Sequence, residues 1–381
     1  MAVGKGTVED LGMTKLFNNL FEGKTVLVTG HTGFKGSWLS IWLRELGANV
    51  VGYALEPYTE EDNFVVAKLG SEIRSHIGDI RDYDNLKGIF DEYQPEIAFH
   101  MAAQSLVRSS YQQPKLTYDT NVGGTVNFFE CCRLTDSVRV IINVTSDKCY
   151  ENKEWIWGYR ENDPLGGYDP YSSSKGCSEI ITSAYRSSFF NLGKRRQDNK
   201  SLSSVRAGNV IGGGDWREDR LVPDCVRALK ENSPIGIRSP KSVRPWQYVL
   251  EPLCGYLLLA SKMYENGEKY SGAWNFGPDY GSIITVEELV RTLIKHWGDG
   301  QYRDLSKKEA DEPHEAKSLV LDTSKATNVL NWRPILSLDE AIEYTVDWYK
   351  AAHVDYHFCV GQVNKYAMEL MARQRASSNK R

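Results

Sequence analysis

Three glycines at three-residue intervals, Gly30, Gly33 and Gly36, separate an apolar stretch at residues 25–28 from a helix-like stretch at residues 38–46. Glycines in this context let backbone N–H groups approach a pyrophosphate, and the N-terminus of the next helix favours its negative charge. The pattern predicts a dinucleotide-binding turn, with a plain glycine turn as the alternative. The residues predicted to contact the dinucleotide here are Gly30, Thr32, Gly33, Phe34, Lys35 and Gly36.

Short apolar stretches alternate with helix-length stretches through the first half of the chain. Predicted strands at residues 50–55, 97–101 and 140–144 are separated by stretches of helical length such as residues 122–133. This alternation is typical of a parallel, doubly wound sheet. The predicted fold is therefore α/β and Rossmann-like, followed by a smaller C-terminal substrate-binding domain.

The predicted division into domains follows a change in composition. Clean alternation ends near Val205, after which glycine, proline and tryptophan become denser. The predicted parts are a leader or disordered segment at residues 1–21, a dinucleotide-binding domain at 22–204, a mainly substrate-binding part at 205–372 that in part returns to the first domain, and a frayed tail at 373–381.

Charge and cysteine content exclude several classes of function. The 381 residues include 46 lysines and arginines against 50 aspartates and glutamates, a formal net charge of −4. No broad basic surface is expected for nucleic acid or an anionic membrane. The seven cysteines lack the spacing of a disulfide framework or a zinc site, and no apolar run is long enough to span a bilayer. We expect a cytoplasmic protein that binds a small ligand and no metal ion.

The end of the second predicted strand bears on which dinucleotide binds. An acid that binds the adenosine ribose is expected about 20 residues beyond the glycine turn, and Glu56 comes late for this role. NAD is predicted over NADP, although Lys35 and His31 leave room for a 2′-phosphate. Asp79, together with Ile80, follows a short strand and is a candidate acceptor for the adenine amino group, with a turn residue as the alternative.

Two segments carry groups suited to proton transfer. Tyr171 and Lys175 lie one helical turn apart, which places a phenol and an ammonium on one helix face. A neighbouring ammonium and a positively charged nicotinamide favour the phenolate, which can accept a hydroxyl proton. Upstream, Ser146 and Asp147 end an apolar strand, where ligands of parallel sheets bind. A solvated helix face and a turn cap are the alternative interpretations.

Together these motifs resemble the extended short-chain dehydrogenase/reductase superfamily over residues 24–348. Four longer strings are similar to those of the CDP-glucose 4,6-dehydratases within it. They are TGHTGFKGSW at residues 29–38, TSDKCY at 145–150, RAGNVIGGGDW at 206–216 and RPWQYVLEP at 244–252.

The resemblance implies an enzyme that holds NAD. Hydride leaves C4 of the glucosyl unit, water is lost across C5 and C6, and hydride returns to C6. By resemblance, Tyr171 with Lys175 deprotonates the 4-hydroxyl, Thr145 or Ser146 orients that oxygen, and Asp147 protonates the departing 6-hydroxyl. The further residues that the resemblance assigns to NAD are Ala102, Ala103, Gln104, Asn121 and Thr145, with Tyr171 and Lys175.

The base for the C5 proton is the point at which the chain departs from the dTDP-glucose dehydratases. Those enzymes carry glutamate next to the aspartate, where this chain has Lys148. A lysine acts as a base only if its pKa is depressed. The alternatives are that Lys148 stabilises the enolate while a water or another residue, such as Glu151, takes the proton.

The substrate implied is CDP-glucose. Guanidinium groups match phosphate oxygens, so arginines are candidates for the diphosphate, with surface charge as their alternative role. The predicted sugar-lining residues are Gln104, Ser105, Arg108 and Ser146, and those for the diphosphate and base are Arg206, Asn209, Arg220, Arg227, Arg244 and Tyr248.

The resemblance also implies a homodimer that pairs helices at residues 122–133 and 171–190 of each subunit.

A sugar-nucleotide 4-epimerase is the first alternative function, because it uses the same Tyr171 and Lys175 without needing an acid and base for elimination. A reductase and a catalytically silent dinucleotide-binding sensor are further alternatives.

Overall fold

The computed structural model describes residues 13–190, 199–306 and 318–378. Its strands are β1 Thr25–Thr29, β2 Asn49–Ala54, β3 Arg74–Ile77, β4 Ile97–His100, β5 Val140–Val144, β6 Ser201–Ala207, β7 Asn209–Ile211, β8 Ile235–Ile237, β9 Val243–Tyr248, β10 Gly272–Phe276, β11 Ile283–Thr285 and β12 Tyr302–Asp304.

Helices connect most of these strands. The α-helices are α1 Phe34–Glu45, α2 Asn63–Val66, α3 Tyr83–Tyr93, α4 Val107–Gln112, α5 Pro114–Tyr118, α6 Gly124–Leu134, α7 Pro170–Ser188, α8 Leu221–Lys230, α9 Leu250–Glu265, α10 Gly267–Tyr270, α11 Val286–Trp297, α12 Leu338–Lys350 and α13 Tyr356–Ser378. Within the described residues, no helix combines the length and apolarity needed to cross a bilayer.

The central sheet has seven strands in the order β10-β6-β5-β4-β1-β2-β3. Every neighbouring pair in it is parallel. The order reverses between β1 and β4, and ligands of doubly wound sheets bind beyond the carboxyl ends of the strands at such a point. The predicted α/β fold class is confirmed.

Helices cover both faces of this sheet because its strands are apolar on both sides. On one face, Trp38 and Trp42 of α1 belong to a large core that also includes α9. On the other face, Phe90 of α3 and Phe128 of α6 pack edge to face, with their ring centroids 5.9 Å apart. All five residues of β5 are buried, as expected for a strand in the middle of a parallel sheet.

The predicted boundary after residue 204 falls inside β6, which continues to Ala207. β10, well beyond that boundary, pairs with β6 and forms the edge of the central sheet. The part of the chain outside this sheet contains a three-stranded sheet, β11-β9-β7, and a two-stranded sheet, β12-β8.

The chain ends differ from the predicted leader and tail where the structure describes them. Residues Met13–Phe17 form a 3₁₀ helix, and Phe17 and Phe21 are buried; the Phe17 ring lies 5.9 Å from that of Trp42. This part of the predicted leader therefore belongs to the core, and residues 1–12 lie outside the described residues. At the other end, α13 continues to Ser378 through most of the predicted tail, and residues 379–381 lie outside the described residues.

Candidate active site

A cavity of about 900 Å³ lies at the carboxyl edge of the central sheet. The glycine turn after β1 and the ends of β4 and β5 form one wall, and the opposite wall comes from segments between β6 and β9. Its position coincides with the reversal of strand order between β1 and β4. A cavity of this size at this place fits a dinucleotide and a second ligand beside it.

The glycine turn lies so close to neighbouring backbone atoms that side chains would not fit at Gly30 and Gly36. Gly30 has φ +77°, and a Cβ there would lie 2.8 Å from the backbone nitrogen of Ala102. A Cβ on Gly36 would lie 2.0 Å from the carbonyl oxygen of Gly30. The space that these missing side chains leave lets the backbone approach a pyrophosphate, so the turn fits a dinucleotide.

The two basic residues of the turn behave differently. The His31 ring is buried, and its Nε2 lies 2.7 Å from the Ser75 hydroxyl. Burial lowers the pKa of His31 to about 4, so the ring is neutral. The sequence analysis had left open an ion pair between His31 and a 2′-phosphate, and a neutral ring cannot form it. Lys35 lines the cavity, where burial and the nearby Arg220 lower its pKa to about 8.

Most other predicted dinucleotide contacts lie on the cavity wall. Asp79, Ile80, Ala102, Ala103 and Gln104 line it. The carboxylate of Asp79 accepts two hydrogen bonds of 3.0 Å from Nε of Arg81, which lowers the pKa of Asp79.

Asn121 is not among the lining residues. Its side chain accepts from the backbone N–H of Gln104 at 2.8 Å and donates to the carbonyl of Gln104 at 2.9 Å. It also donates to the hydroxyl of Ser174 at 2.9 Å. Asn121 therefore fixes the backbone of Gln104, and the structure gives it no direct access to the dinucleotide.

Helix α7 brings Tyr171 and Lys175 to the cavity. Asp169 caps the helix, because its carboxylate accepts from the backbone N–H of Ser172 at 2.9 Å. Burial raises the pKa of Tyr171 to about 12, although its side-chain hydrogen bond with Ser146 acts in the opposite direction. Burial, with Lys35 nearby, lowers the pKa of Lys175 to about 8. The groups that lower the Tyr171 pKa here are Ser146 and Arg220 rather than the expected Lys175, and burial outweighs them.

The two hydroxyls after β5 point to different partners. Thr145 donates to the carboxylate of Glu179 at 2.5 Å. Ser146 donates to Asp147 at 2.8 Å and accepts from the backbone N–H of Lys148 at 3.2 Å. The sequence analysis could not decide whether Thr145 or Ser146 orients the substrate oxygen. In the structure, the hydroxyl of Ser146 is the one that lies beside Tyr171.

Asp147 and Lys148 also line the cavity, whereas Glu151 does not. The Glu151 carboxylate lies 3.3 Å from Nζ of Lys153, and both side chains are more than half exposed. One wall thus combines a phenol, a hydroxyl, a carboxylic acid and the three amines of Lys35, Lys148 and Lys175, while Glu151 lies outside the cavity.

The opposite wall contributes the basic groups. Ser105, Asn209, Arg220 and Arg244 line the cavity as predicted. Arg220 donates to Asp215 at 2.8 Å and to the Ser105 hydroxyl at 3.0 Å, which links the two walls.

Three lining arginines were missed by the sequence analysis: Arg81, which lies beside Asp79, and Arg217 and Arg238. Arg217 directly follows the RAGNVIGGGDW string, and this adjacency is the signal that could have indicated it. Arg238 follows the short strand β8, and nothing in its local sequence separates it from other surface arginines.

Four predicted substrate residues do not reach the cavity wall, and the structure gives each another contact. Arg206 is buried against Glu179, at 2.7 Å, and Tyr248 is buried with its hydroxyl 3.0 Å from Gln362. Arg227 donates to the carbonyl of Trp216 and pairs with Asp224, and Arg108 lies 3.6 Å from Asp219. Arg206 and Tyr248 face the interior, so their assignment to the substrate is corrected. Asp224 and Asp219, the partners of Arg227 and Arg108, line the cavity, so substrate contacts of these two arginines stay predictions.

Comparison with known proteins agrees with this geometry. Residues 27–345 match the family model described as GDP-mannose 4,6 dehydratase. The chain is 53% identical to a CDP-glucose 4,6-dehydratase of Salmonella typhimurium, over 87% of this chain and 92% of the relative. It is 25% identical to a dTDP-glucose 4,6-dehydratase of Xanthomonas campestris pv. campestris, over 85% of this chain and 93% of that relative.

Solved structures show the same fold. A crystal structure of a dTDP-glucose 4,6-dehydratase from Streptomyces venezuelae with NAD bound has a TM-score of 0.72 and 24% identity, and the match covers 86% of this chain and 97% of that one. A UDP-glucose 4-epimerase from Thermotoga maritima has a TM-score of 0.70, also at 24% identity, and the match covers 86% of this chain and 98% of that one. Because the family model spans most of the residues and the Salmonella relative is more than half identical, the chain belongs to the GDP-mannose 4,6 dehydratase family, within the extended short-chain dehydrogenase/reductase superfamily.

Proposed function

We propose that this protein is an NAD-dependent CDP-glucose 4,6-dehydratase, which converts CDP-glucose to CDP-4-dehydro-6-deoxyglucose and water. The observation that carries the proposal is that Asp147 and Lys148 lie on the same cavity wall as Ser146, Tyr171 and Lys175. Elimination needs an acid and a base in addition to the groups that act on the 4-hydroxyl. The Salmonella relative, at 53% identity, supports the choice of reaction and of nucleotide.

In this proposal, NAD is held by the glycine turn and by the residues at the ends of β4 and β5. Bound NAD⁺ supplies the acceptor for hydride from C4 and the donor of hydride to C6. The Gly30–Gly36 turn receives the pyrophosphate, and Asp79 with Ile80 lies on the wall predicted for adenine. NAD is the dinucleotide bound in the Streptomyces venezuelae dehydratase, and the burial of the His31 ring agrees with NAD rather than NADP.

Tyr171 removes the proton of the 4-hydroxyl. Its pKa of about 12 in the protein alone reflects burial, so the phenolate needs positive charge nearby when it forms. Lys175 lies one helical turn along α7, and its Nζ is 3.4 Å from the carbonyl of Val144. Ser146 hydrogen-bonds the phenol and orients the same substrate oxygen.

Asp147 is the acid that protonates the departing 6-hydroxyl, which leaves as water. Its carboxyl already accepts a hydrogen bond of 2.8 Å from Ser146, so the group acting at O4 and the group acting at O6 are held together. A Cβ on Gly208 would lie 3.1 Å from the Asp147 carboxylate, so the glycine leaves that carboxylate room on the cavity side.

Lys148 removes the C5 proton, which the 4-keto group makes acidic. It lines the cavity next to Asp147, whereas Glu151 points to solvent beside Lys153. Elimination sends the C5 proton to Lys148 and the proton of Asp147 to the leaving oxygen, and the C5–C6 bond becomes a double bond. When hydride returns to C6, Lys148 gives its proton back to C5. Over the cycle Tyr171 gains the 4-hydroxyl proton and Asp147 loses one, and Ser146, hydrogen-bonded to both, is placed to pass that proton from Tyr171 to Asp147.

Arg220, Arg238 and Arg244 hold the diphosphate on the opposite wall, because guanidinium groups of the cavity lining match its oxygens. Asn209 and Ser105 line the same space and are available to hydroxyl groups of the nucleotide sugar. The side chain of Gln104 is instead held by Leu106 and Thr117, to which its amide donates at 3.1 and 2.9 Å.

We also propose a cytoplasmic homodimer. Leu134 of α6 and Ile180 of α7 are 49% and 58% exposed, a large exposure for apolar side chains on two adjacent helices. Pairing these helices across a two-fold axis would bury them. All seven cysteines are free, which suits a reducing compartment.

The direct test incubates the protein with CDP-glucose and, separately, with UDP- and dTDP-glucose, and follows the absorbance that alkali induces in a 4-keto-6-deoxy product. Turnover of CDP-glucose in preference to the others is expected. Failure to form this product from any of the three would contradict the proposal, and formation of a 4-epimer would replace it with the epimerase.

A further inference from the structure

Glu179 lies on the same face of α7 as the catalytic pair, one turn beyond Lys175 and two turns beyond Tyr171. Its side chain is 3% exposed, so its carboxylate lies inside the protein under the end of β5. A buried carboxylate is costly unless it is paired and hydrogen-bonded.

Both oxygens of Glu179 are fully used. Oε1 accepts from Thr145 at 2.5 Å and from Nε of Arg206 at 2.9 Å. Oε2 accepts from Ser204 at 2.7 Å and from Nη2 of Arg206 at 2.7 Å. Burial alone would raise the pKa of Glu179, but Arg206 and these hydrogen bonds lower it, so the group stays charged.

Arg206 extends this cluster toward the loops below the cavity. Its Nη1 donates to the hydroxyl of Tyr150 at 2.5 Å and to the carbonyl of Glu161 at 3.0 Å. The guanidinium also lies 4.8 Å from the centroid of the Tyr150 ring. Arg206 thus ties β6 to the segment that follows the catalytic residues, a role different from phosphate binding.

Thr145 connects Glu179 and Arg206 to the catalytic residues. Thr145 is held twice to its surroundings, by its side chain to Glu179 and by its backbone N–H to the carbonyl of Val205 at 2.9 Å. Ser146 follows at once, and successive side chains of an extended chain point to opposite sides. Fixing Thr145 toward Glu179 therefore fixes Ser146 toward the cavity.

We infer that Glu179 and Arg206 are positioning residues, which hold Thr145 and through it set the placement of Ser146 and Asp147 beside Tyr171. This inference rests on the proposed function for its kinetic consequences.

The test uses Thr145→Val rather than a Glu179 variant, since removing the carboxylate would leave the Arg206 charge buried and unpaired. Valine keeps the shape and removes the hydroxyl. Ser204→Ala is the matched control, because it removes an equally buried hydrogen bond to the same carboxylate from β6 instead of the catalytic segment. Thr145→Ser restores the hydroxyl.

Two readouts are taken on each NAD-loaded variant: kcat and KM with CDP-glucose, and amide hydrogen exchange of residues 145–150 without substrate. We expect Thr145→Val to lose about tenfold or more in kcat with KM within about threefold, and to exchange faster in this segment. Ser204→Ala should keep kcat within about twofold, and Thr145→Ser should recover it.

Equal losses of kcat in Thr145→Val and Ser204→Ala, or wild-type kcat in Thr145→Val, would overturn the inference. If wild-type protein forms no dehydratase product, the proposed function fails, and the exchange data still decide the inference. Faster exchange of residues 145–150 in Thr145→Val alone then supports it, and equal exchange in all variants contradicts it.

Discussion

At the scale of single residues, Lys148 separates this chain most clearly from dehydratases that use a glutamate at this place. It lines the cavity beside Asp147, and Glu151, the nearest carboxylate in sequence, lies outside it. These positions support the proposal that Lys148 is the C5 base.

Replacing Lys148 with alanine should lower kcat for dehydration by about 10²–10⁴-fold, the usual contribution of a positioned general base, because Lys148 lines the cavity beside Asp147 whereas Glu151 does not. Steady-state kinetics with CDP-glucose measure this loss, and KM should stay within about threefold. Lys153→Ala is the control, since Lys153 is exposed beside Glu151. Wild-type kcat in Lys148→Ala would assign the C5 proton to a water or another group.

Residue types and spacing singled out Tyr171, Lys175, Asp147 and the glycine turn, and all of them line the cavity, while their roles stay predictions. The direction of a side chain could not be predicted in the same way. Arg206 and Tyr248 stand in strings typical of the family, yet both face the interior, Arg206 because Glu179 is available to it. A charged residue in a motif indicates that its side chain has an interaction partner. Which residue is the partner follows from the three-dimensional structure and not from the motif.

At the scale of elements, the turn between β1 and α1 has the least tolerance for change. A Cβ at Gly36 would overlap the carbonyl oxygen of Gly30, at 2.0 Å. Gly36→Ala must therefore displace the turn that receives the pyrophosphate, and NAD affinity should fall by about tenfold or more. Titration calorimetry with NAD⁺ measures this.

Gly88→Ala is the matched control for that substitution. Gly88 lies on an exposed position of α3, and nothing lies within 4 Å of a Cβ there. Its NAD affinity should equal that of the wild type, and its stability should rise by about 0.5–1 kcal/mol. Equal affinities in Gly36→Ala and Gly88→Ala would show that the turn does not hold the dinucleotide.

Glu251 connects three elements away from the cavity. It lies in the first turn of α9, accepts from the backbone N–H groups of Ile335 and Leu336 at 2.8 and 2.7 Å, and accepts from Tyr366 of α13 at 2.8 Å. Burial raises the pKa of Glu251 to about 7. The folded protein thus keeps this proton up to near neutral pH, whereas the unfolded chain releases it at lower pH.

The raised pKa of Glu251 determines the direction in which the free energy of unfolding changes with pH. The contribution of Glu251 is fully present below the pKa of the unfolded chain and is lost as pH rises through about 7. From pH 5 to 8 the free energy of unfolding should fall by about 3 kcal/mol more in the wild type than in Glu251→Gln. Urea unfolding at both pH values measures this difference, and parallel changes in the two proteins would contradict it.

Most elements of the central sheet were predictable because their strands are continuous apolar runs followed by polar residues. The place of β10 was not predictable, since it returns to the sheet edge from a distant part of the sequence. The boundary at residue 204 was placed by composition, which changes before the sheet is complete.

At the scale of the whole molecule, one cavity joins the two parts of the chain. The central sheet supplies the dinucleotide wall and the groups for proton transfer, and the later segments supply the arginines. Arg220 already bridges the walls through Asp215 and Ser105. Binding of a sugar nucleotide between them would therefore couple substrate recognition to catalysis.

The proposed dimer makes a separate prediction. Ile180→Arg places a charge at an exposed apolar position of α7 in the proposed interface and should convert the protein to a single chain, measured by sedimentation equilibrium. Met368→Arg, at a position 46% exposed on α13, is the control that should leave the assembly unchanged. A wild-type protein that sediments as one chain would contradict the dimer.

The most direct test of the proposed function follows the hydrogen at C4 of the substrate. CDP-glucose carrying deuterium at C4 is incubated with the NAD-loaded protein, and the product is analysed by nuclear magnetic resonance. A 4,6-dehydratase returns that hydride to C6, so the account predicts one deuterium in the C6 methyl group of a 4-keto product. Deuterium retained at C4 of a hexose with inverted configuration would show an epimerase and contradict the account.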